Sequence, residues 1–360
     1  MTLTQTMKLT TNKAMQSVAA GCLIFAIFAI CSLPASLAQA QDALYRLRDN
    51  GRASKVNGRI TEVTADGVTI NGTKVPSSLI QKVSYGKEPL EVGRARDQME
   101  SGRYSDAIEE LKKITANVGP NIKQEIDFIR AYATAQISLR GGSVTPKTAA
   151  SAVKRFIDSN PNSFHLVPAK DQFARLAFAA GLPQAAEAQF KKLQSSQWLE
   201  YKLKGHFHAG QMQVQLGKLD QAESSFKAIG GVESNDNISQ TYKLLAQCEL
   251  AKIAGLKGNA DAAQKQLEEI IKKENSDNKK LFAHLYNALG AVHLKAGRLK
   301  QAARAYLHTE LLFASEAEAH AEAVYNLALI WPQLEDTDRA NRARDLLKQR
   351  YRNSFWASKL

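Results

Sequence analysis

LKAGRLKQAARAY, residues 294–306, decides the fold because the chain has already stated its pattern twice, as MESGRYSDAIEEL at 99–111 and VQLGKLDQAESSF at 214–226. In each stretch a glycine is followed five residues later by alanine and four residues after that by a large apolar side chain. Aligned along the chain, the glycines are Gly102, Gly181, Gly217, Gly258 and Gly297, and the alanines are Ala107, Ala186, Ala222, Ala263 and Ala302. The large residues are Leu111, Phe190, Phe226, Leu267 and Tyr306. Seven residues before each glycine stands another small residue: Ala95, Ala174, Gly210, Ala251 and Gly290. A sixth copy keeps Ala328 and Ala340 but has lost its glycine.

One mechanism accounts for the spacing. A glycine just past a helix end takes the left-handed conformation without a Cβ clash, so the chain turns back within a few residues. Small residues on both helices let the axes approach closely. The large residue, one helical turn beyond the alanine, lies on the same face and is expected to bury against the next pair. A single pair has too little core to stand alone, so the pairs must stack.

This pattern resembles the tetratricopeptide repeat. Successive glycines from Gly181 onward are 36, 41 and 39 residues apart, somewhat longer than the family's period of about 34. The first step, Gly102 to Gly181, spans 79 residues. One unit is therefore hidden there, expected at Ile122–Leu139 and Thr148–Ser159 around the loop Arg140–Pro146. The resemblance implies a right-handed α-solenoid of about seven helix pairs over residues 88–360. The family's usual proline after the second helix is mostly missing, and Pro332 falls awkwardly near a helix end. Asn160–Phe164 and Asn353–Phe355 resemble closing turns of exported bacterial repeat proteins.

Residues 41–87 read differently. Ile60–Thr64 and Val68–Ile70 alternate and are rich in β-branched residues, and Asp66-Gly67 and Asn71-Gly72 suit tight hairpins. With Leu44–Leu47, Val75-Pro76 and Val83–Tyr85, four or five strands form a small meander or SH3/Sm-like barrel, which leans on the helices that follow. Residues 1–40 carry the parts of a secretory signal. Lys8 and Lys13 precede an apolar run from Val18 to Leu33, and Ala38-Gln39-Ala40 ends in a cleavage pattern. The run is shorter than a spanning helix requires. An exported protein of the periplasm or cell envelope is expected. Cys22 and Cys31 leave with the signal, so Cys248 has no intramolecular partner and stability must come from packing. Losing Lys8 and Lys13 takes the net charge from +13 to +11. That excess suits anionic neighbours such as acidic proteins, lipid headgroups or polysaccharide, while export argues against nucleic acid.

The sequence has no G-x-S-x-G, H-E-x-x-H, paired C-x-x-C or phosphate loop. Ser151-Ala-Val-Lys154 and Ser276-Asp277-Asn278 match two elements of penicillin-binding enzymes, but K-T-G is absent. No cofactor or metal is expected; His206 and His208, two apart on a helix, point to different faces. The resemblance implies a concave surface lined by the first helix of each pair. Its transferred positions are Arg96, Asp171, Arg175, Lys204, Phe207, Gln211, Cys248, Lys252, His284, Asn287 and Tyr325. The family's carboxylate clamp needs Lys and Asn four apart on the first helix. Here those places hold Phe207/Gln211, Cys248/Lys252 and Asn287/Ala291. What remains is a mixed groove of basic points and aromatics, suited to a protein or peptide with some acidic residues. The expectation is a non-enzymatic scaffold. A polymer or lipid adaptor driven by charge is the alternative, and an acyl enzyme at Ser151 a distant third.

Overall fold

The computed structural model describes residues 41–47, 53–234 and 236–360. The signal reading of residues 1–40 lies outside them. Among the described residues six strands come first: β1 (Asp42–Leu47), β2 (Ala53–Gly58), β3 (Ile60–Thr64), β4 (Gly67–Ile70), β5 (Thr73–Pro76) and β6 (Ile80–Ser84). They form two antiparallel three-stranded sheets, ordered β2-β1-β6 and β3-β4-β5. Asn71 and Gly72, with φ of 51° and 77°, make the turn between β4 and β5 that their sequence asked for. β2 was not legible: Ala-Ser-Lys-Val-Asn-Gly has little apolar pattern and is a strand because β1 pairs with it, Leu44 opposite Val56. Leu44, Val68, Ile70 and Val83 share one core with Val92, Ala107 and Ile126 from the helices and Phe164 from the turn before Leu166.

Seven helix pairs follow. They are α1 (Leu90–Glu100) with α2 (Tyr104–Lys112), α3 (Pro120–Leu139) with α4 (Pro146–Ser159), and α5 (Leu166–Ala179) with α6 (Pro183–Leu193). Next come α7 (Leu199–Gln215) with α8 (Leu219–Gly230) and α9 (Asn237–Leu256) with α10 (Ala260–Lys273). The last are α11 (Lys279–Lys295) with α12 (Leu299–Leu312) and α13 (Ala317–Ile330) with α14 (Thr337–Arg350). The hidden pair lies where the sequence placed it, but each helix starts two residues earlier, at a proline. Proline suits the first helical turn, where its missing N–H has no partner to lose.

The five repeat glycines all adopt positive φ, from 72° to 111°. The residue after each donates its N–H five positions back, as in Lys218 N to Gln213 O at 2.8 Å, which satisfies an orphan helix carbonyl. Gly141 makes the same turn in the hidden pair. In the last pair Glu335 stands where the glycine was lost and still takes the left-handed conformation, φ 61°. Pro332 falls in a single tight turn, Trp331–Leu334, after α13 has ended.

The small residues lie buried between the helices. A Cβ on Gly210 would come within 2.7 Å of the Phe226 ring, and one on Gly290 within 2.7 Å of Tyr306. The large residue therefore covers the small residue of its own pair. Phe226 also packs into the core with Tyr242 and Leu245 of the next one. The odd-numbered helices touch one another along the array, α1 with α3, α3 with α5, and α7 through α9 and α11 to α13. They form an inner layer.

Candidate functional site

Beyond α14 the chain does not trail into solvent. Residues 351–360 reach back to the start of the array. Asn353 Nδ2 meets three carbonyls in the last turn of α3 and the loop after it, those of Ser138, Gly142 and Val144, at 2.9–3.1 Å, and Arg352 Nε donates to Gly141 O at 2.9 Å. Gly141 already caps α3 through Gly141 N–H on Ser138 O and Gly142 N–H on Ile137 O, so the segment adds partners for the carbonyls of the loop that follows it. Phe355 then stacks on Phe178 of α5 with ring centroids 4.4 Å apart, and Trp356 packs beside Tyr325 at 5.3 Å. Lys359 Nζ sits 4.7 Å above the Phe355 ring, a cation over an aromatic face. Tyr351 O–H donates to His320 Nδ1 at 2.9 Å, and His320 Nε2–H donates to Glu310 O at 3.0 Å. Burial pushes the His320 pKa down, consistent with that neutral tautomer.

The inner layer and this segment line an open cavity of about 500 Å³. Its walls come from α3, α5, α7 and α11, from the start of α13 and from Tyr351–Trp356. On α7, Lys204, His208 and Gln211 fall at i, i+4 and i+7, one stripe facing the space. Arg175 on α5 donates through Nε to Asp171 Oδ2 at 3.0 Å and lies 3.3 Å from His208 Nε2. His208 is held neutral because burial, then the Arg175 charge, drives its pKa well down. Arg175 therefore donates to Nε2 and Nδ1–H to Gln211 Oε1, 2.9 Å away. Lys204 pairs with Glu200 at 2.5 Å and sits 4.5 Å over the Tyr201 ring. Lys280 lies 5.0 Å over Tyr242 with no carboxylate in ion-pair range among the described residues. Burial, reinforced by Arg175, lowers its pKa.

Of the transferred positions, Asp171, Arg175, Lys204, Gln211 and His284 line this cavity. Lys252 lines a smaller space beside it, pinned between Glu249 and Glu322 at 3.4 and 3.6 Å. Tyr325 lies under the C-terminal segment. Four others are not groove residues. Phe207 is fully buried, its ring against Phe226 and Tyr242, because one step along a helix turns a side chain about 100° away from the Lys204–Gln211 stripe. Cys248 is in the same core. Asn287 is 1% exposed and ties α11 to α13 by donating to Ala319 O at 2.8 Å. Arg96 is buried near the β region, clamped by Glu88 at 2.7 Å and Glu125 at 2.9 Å. Sequence reasoning missed His208, Lys280 and the returning segment. His208 and Lys280 had a readable signal, His208 between Lys204 and Gln211 in an i, i+4, i+7 stripe and Lys280 one helical turn before His284.

The acyl-enzyme candidates are used otherwise. Ser151 donates to Lys147 O at 3.1 Å, Lys154 pairs with Asp158 at 2.6 Å, and Asn278 caps α11 by accepting from Leu281 N.

No protein-family model and no curated protein matches the chain. Among solved structures, a tetratricopeptide repeat protein from Parabacteroides merdae superposes with a TM-score of 0.50 and 15% identity, over 72% of this chain and 92% of that one. A Rap protein complexed with competence and sporulation factor aligns at 0.47 and 12%, covering 75% and 77%. The apo form of the quorum sensor NprR from B. thuringiensis aligns at 0.47 and 11%, covering 72% and 85%. At such identities the likeness concerns architecture alone: the chain has a tetratricopeptide-repeat-like fold.

Proposed function

We propose that the protein is a non-enzymatic binding scaffold whose inner helical face takes a protein or peptide segment. One observation carries this reading. That face already holds a peptide, the chain's own residues 351–359, by the means such surfaces use: aromatic stacking, backbone-carbonyl hydrogen bonds and a cation over rings. The leader-like residues 1–40 support an exported protein working in the periplasm or cell envelope. A charge-driven adaptor is less favoured. Many surface lysines are matched by carboxylates one helical turn away, among them Lys112, Lys123, Lys154 and Lys227, so they do not form a bare basic patch.

Site-specific photo-crosslinking in the native cell tests the assignment. A crosslinker at Gln211 on the inner face is expected to capture a discrete partner, and one at exposed Gln266 on α10 is not. Equal capture from both positions, or capture from Gln266 alone, would move the binding face elsewhere.

A further inference from the structure

Two residues of the cavity wall each carry a buried polar atom with no hydrogen-bond partner among the described residues: Asp171 Oδ1, an acceptor, and Trp356 Nε1, a donor. These residues are only 3% and 6% exposed. Buried polar atoms are nearly always paired, so two orphans of opposite kind in one wall point to something that meets them. The charges there are divided in the same way. Among the described residues Lys280 has no carboxylate within ion-pair distance, and neither Glu316 nor Glu318, at the head of α13, has a cation within that range. Glu318 nonetheless acts electrostatically on both Arg175 and Lys280 across the cavity. A purely anionic ligand would face Asp171 and the two glutamates; a purely cationic one would face Arg175, Lys204 and Lys280. A ligand with both charges satisfies the wall. Phe178, Phe355 and Met212 add apolar surface. The volume of about 500 Å³ falls in the range of roughly 300–1,000 Å³ that takes whole small ligands.

We propose that the cavity binds a short zwitterionic peptide of about two or three residues. Its ammonium end meets Asp171 and Glu318, its carboxylate end meets Lys280 and Lys204, and a backbone carbonyl accepts from Trp356 Nε1. This rests on the reading of the inner face as a peptide-binding surface and adds the ligand's length and its two free ends. Because Tyr351–Trp356 form one wall, the ligand and the C-terminal segment are held together, and Trp356 reports occupancy.

Calorimetry and tryptophan emission on the full chain test it with four probes: Ala-Phe-Ala, its N-acetylated form, its C-amidated form, and glutarate. Ala-Phe-Ala is expected to bind saturably and shift the emission, with the shift lost in Trp356→Phe. Each blocked form should bind about tenfold or more weakly, as should Lys280→Gln, since a charge-assisted contact is removed in each case. Asp171→Asn should act on the amino end, losing its preference for the free ammonium over the acetylated form. Lys154→Gln, on the exposed face of α4, should change nothing. Lys280→Gln removes no ion pair, so its folding is secure even if Asp171→Asn proves unstable. Glutarate binding as tightly as the peptide, blocked peptides binding equally well, or no saturable signal from any probe would overturn the proposal. Partner capture from Gln211 would survive that failure, so the two readings fail separately.

Discussion

Replacing Glu335 by glycine should stabilise the protein. Glu335 occupies the turn between α13 and α14 with φ 61°, where the equivalent turns use glycine. Its side chain is exposed and makes no ion pair or hydrogen bond among the described residues, so little is lost with it. A Cβ in the left-handed region costs about 1–2 kcal/mol. Glycine returns about 0.5–1 kcal/mol of that through its greater freedom in the unfolded chain. The net gain is about 0.5–1 kcal/mol. Trp331 begins this same turn, with the Arg339 guanidinium 4.8 Å from its ring, and is a local probe of whether the last pair is folded. Urea unfolding followed by tryptophan fluorescence, in a background with Trp198 and Trp356 as phenylalanine, should show a higher midpoint for Glu335→Gly at unchanged slope. Glu335→Ala keeps the Cβ and should stay within about 0.5 kcal/mol of the parent. If the glycine variant unfolds at or below the alanine variant, the strain argument fails and the pattern does not report turn chemistry.

Ala302 is fully buried between helices, and Ala302→Leu should cost about 1–3 kcal/mol by forcing them apart, read as a lowered thermal midpoint. Stability should also fall in acid. Burial, the largest influence on Glu125, would raise its pKa, but His165 and Arg96 outweigh it and bring the value down to about 2. A pKa lowered on folding gives a contribution that is complete above about pH 4.5 and lost as the pH falls through about 2. Glu125→Gln should flatten that part of the pH–stability curve, and an unchanged curve would count against the network. Cys248 is fully buried and its pKa is pushed well up by desolvation, so it should resist iodoacetamide in the folded protein and react only after unfolding, as peptide mapping would record.

The repeat was legible because each glycine, alanine and large residue answers to a local constraint: a left-handed turn, a close helix crossing, a ring laid over a small neighbour. The β region was legible where alternation and Asn71-Gly72 spoke, and not at β2, whose strand exists through pairing. The site was only partly readable. Arg175, Lys204 and Gln211 followed from which helix of each pair faces inward. Phe207 did not, since one residue of phase separates a cavity wall from a core. The returning segment could not be foreseen at all. Asn353 finds its acceptors more than 200 residues back, and no local pattern encodes where a curved array meets itself.

That meeting is the claim on which the site depends, and pulsed electron paramagnetic resonance addresses it directly. With nitroxides at Ser143, in the turn after α3, and at Lys348, near the end of α14, the account predicts one narrow, short distance distribution that broadens and lengthens in Asn353→Ala. A long or broad distribution in the parent protein would mean that the array stands open and that the cavity lacks its C-terminal wall.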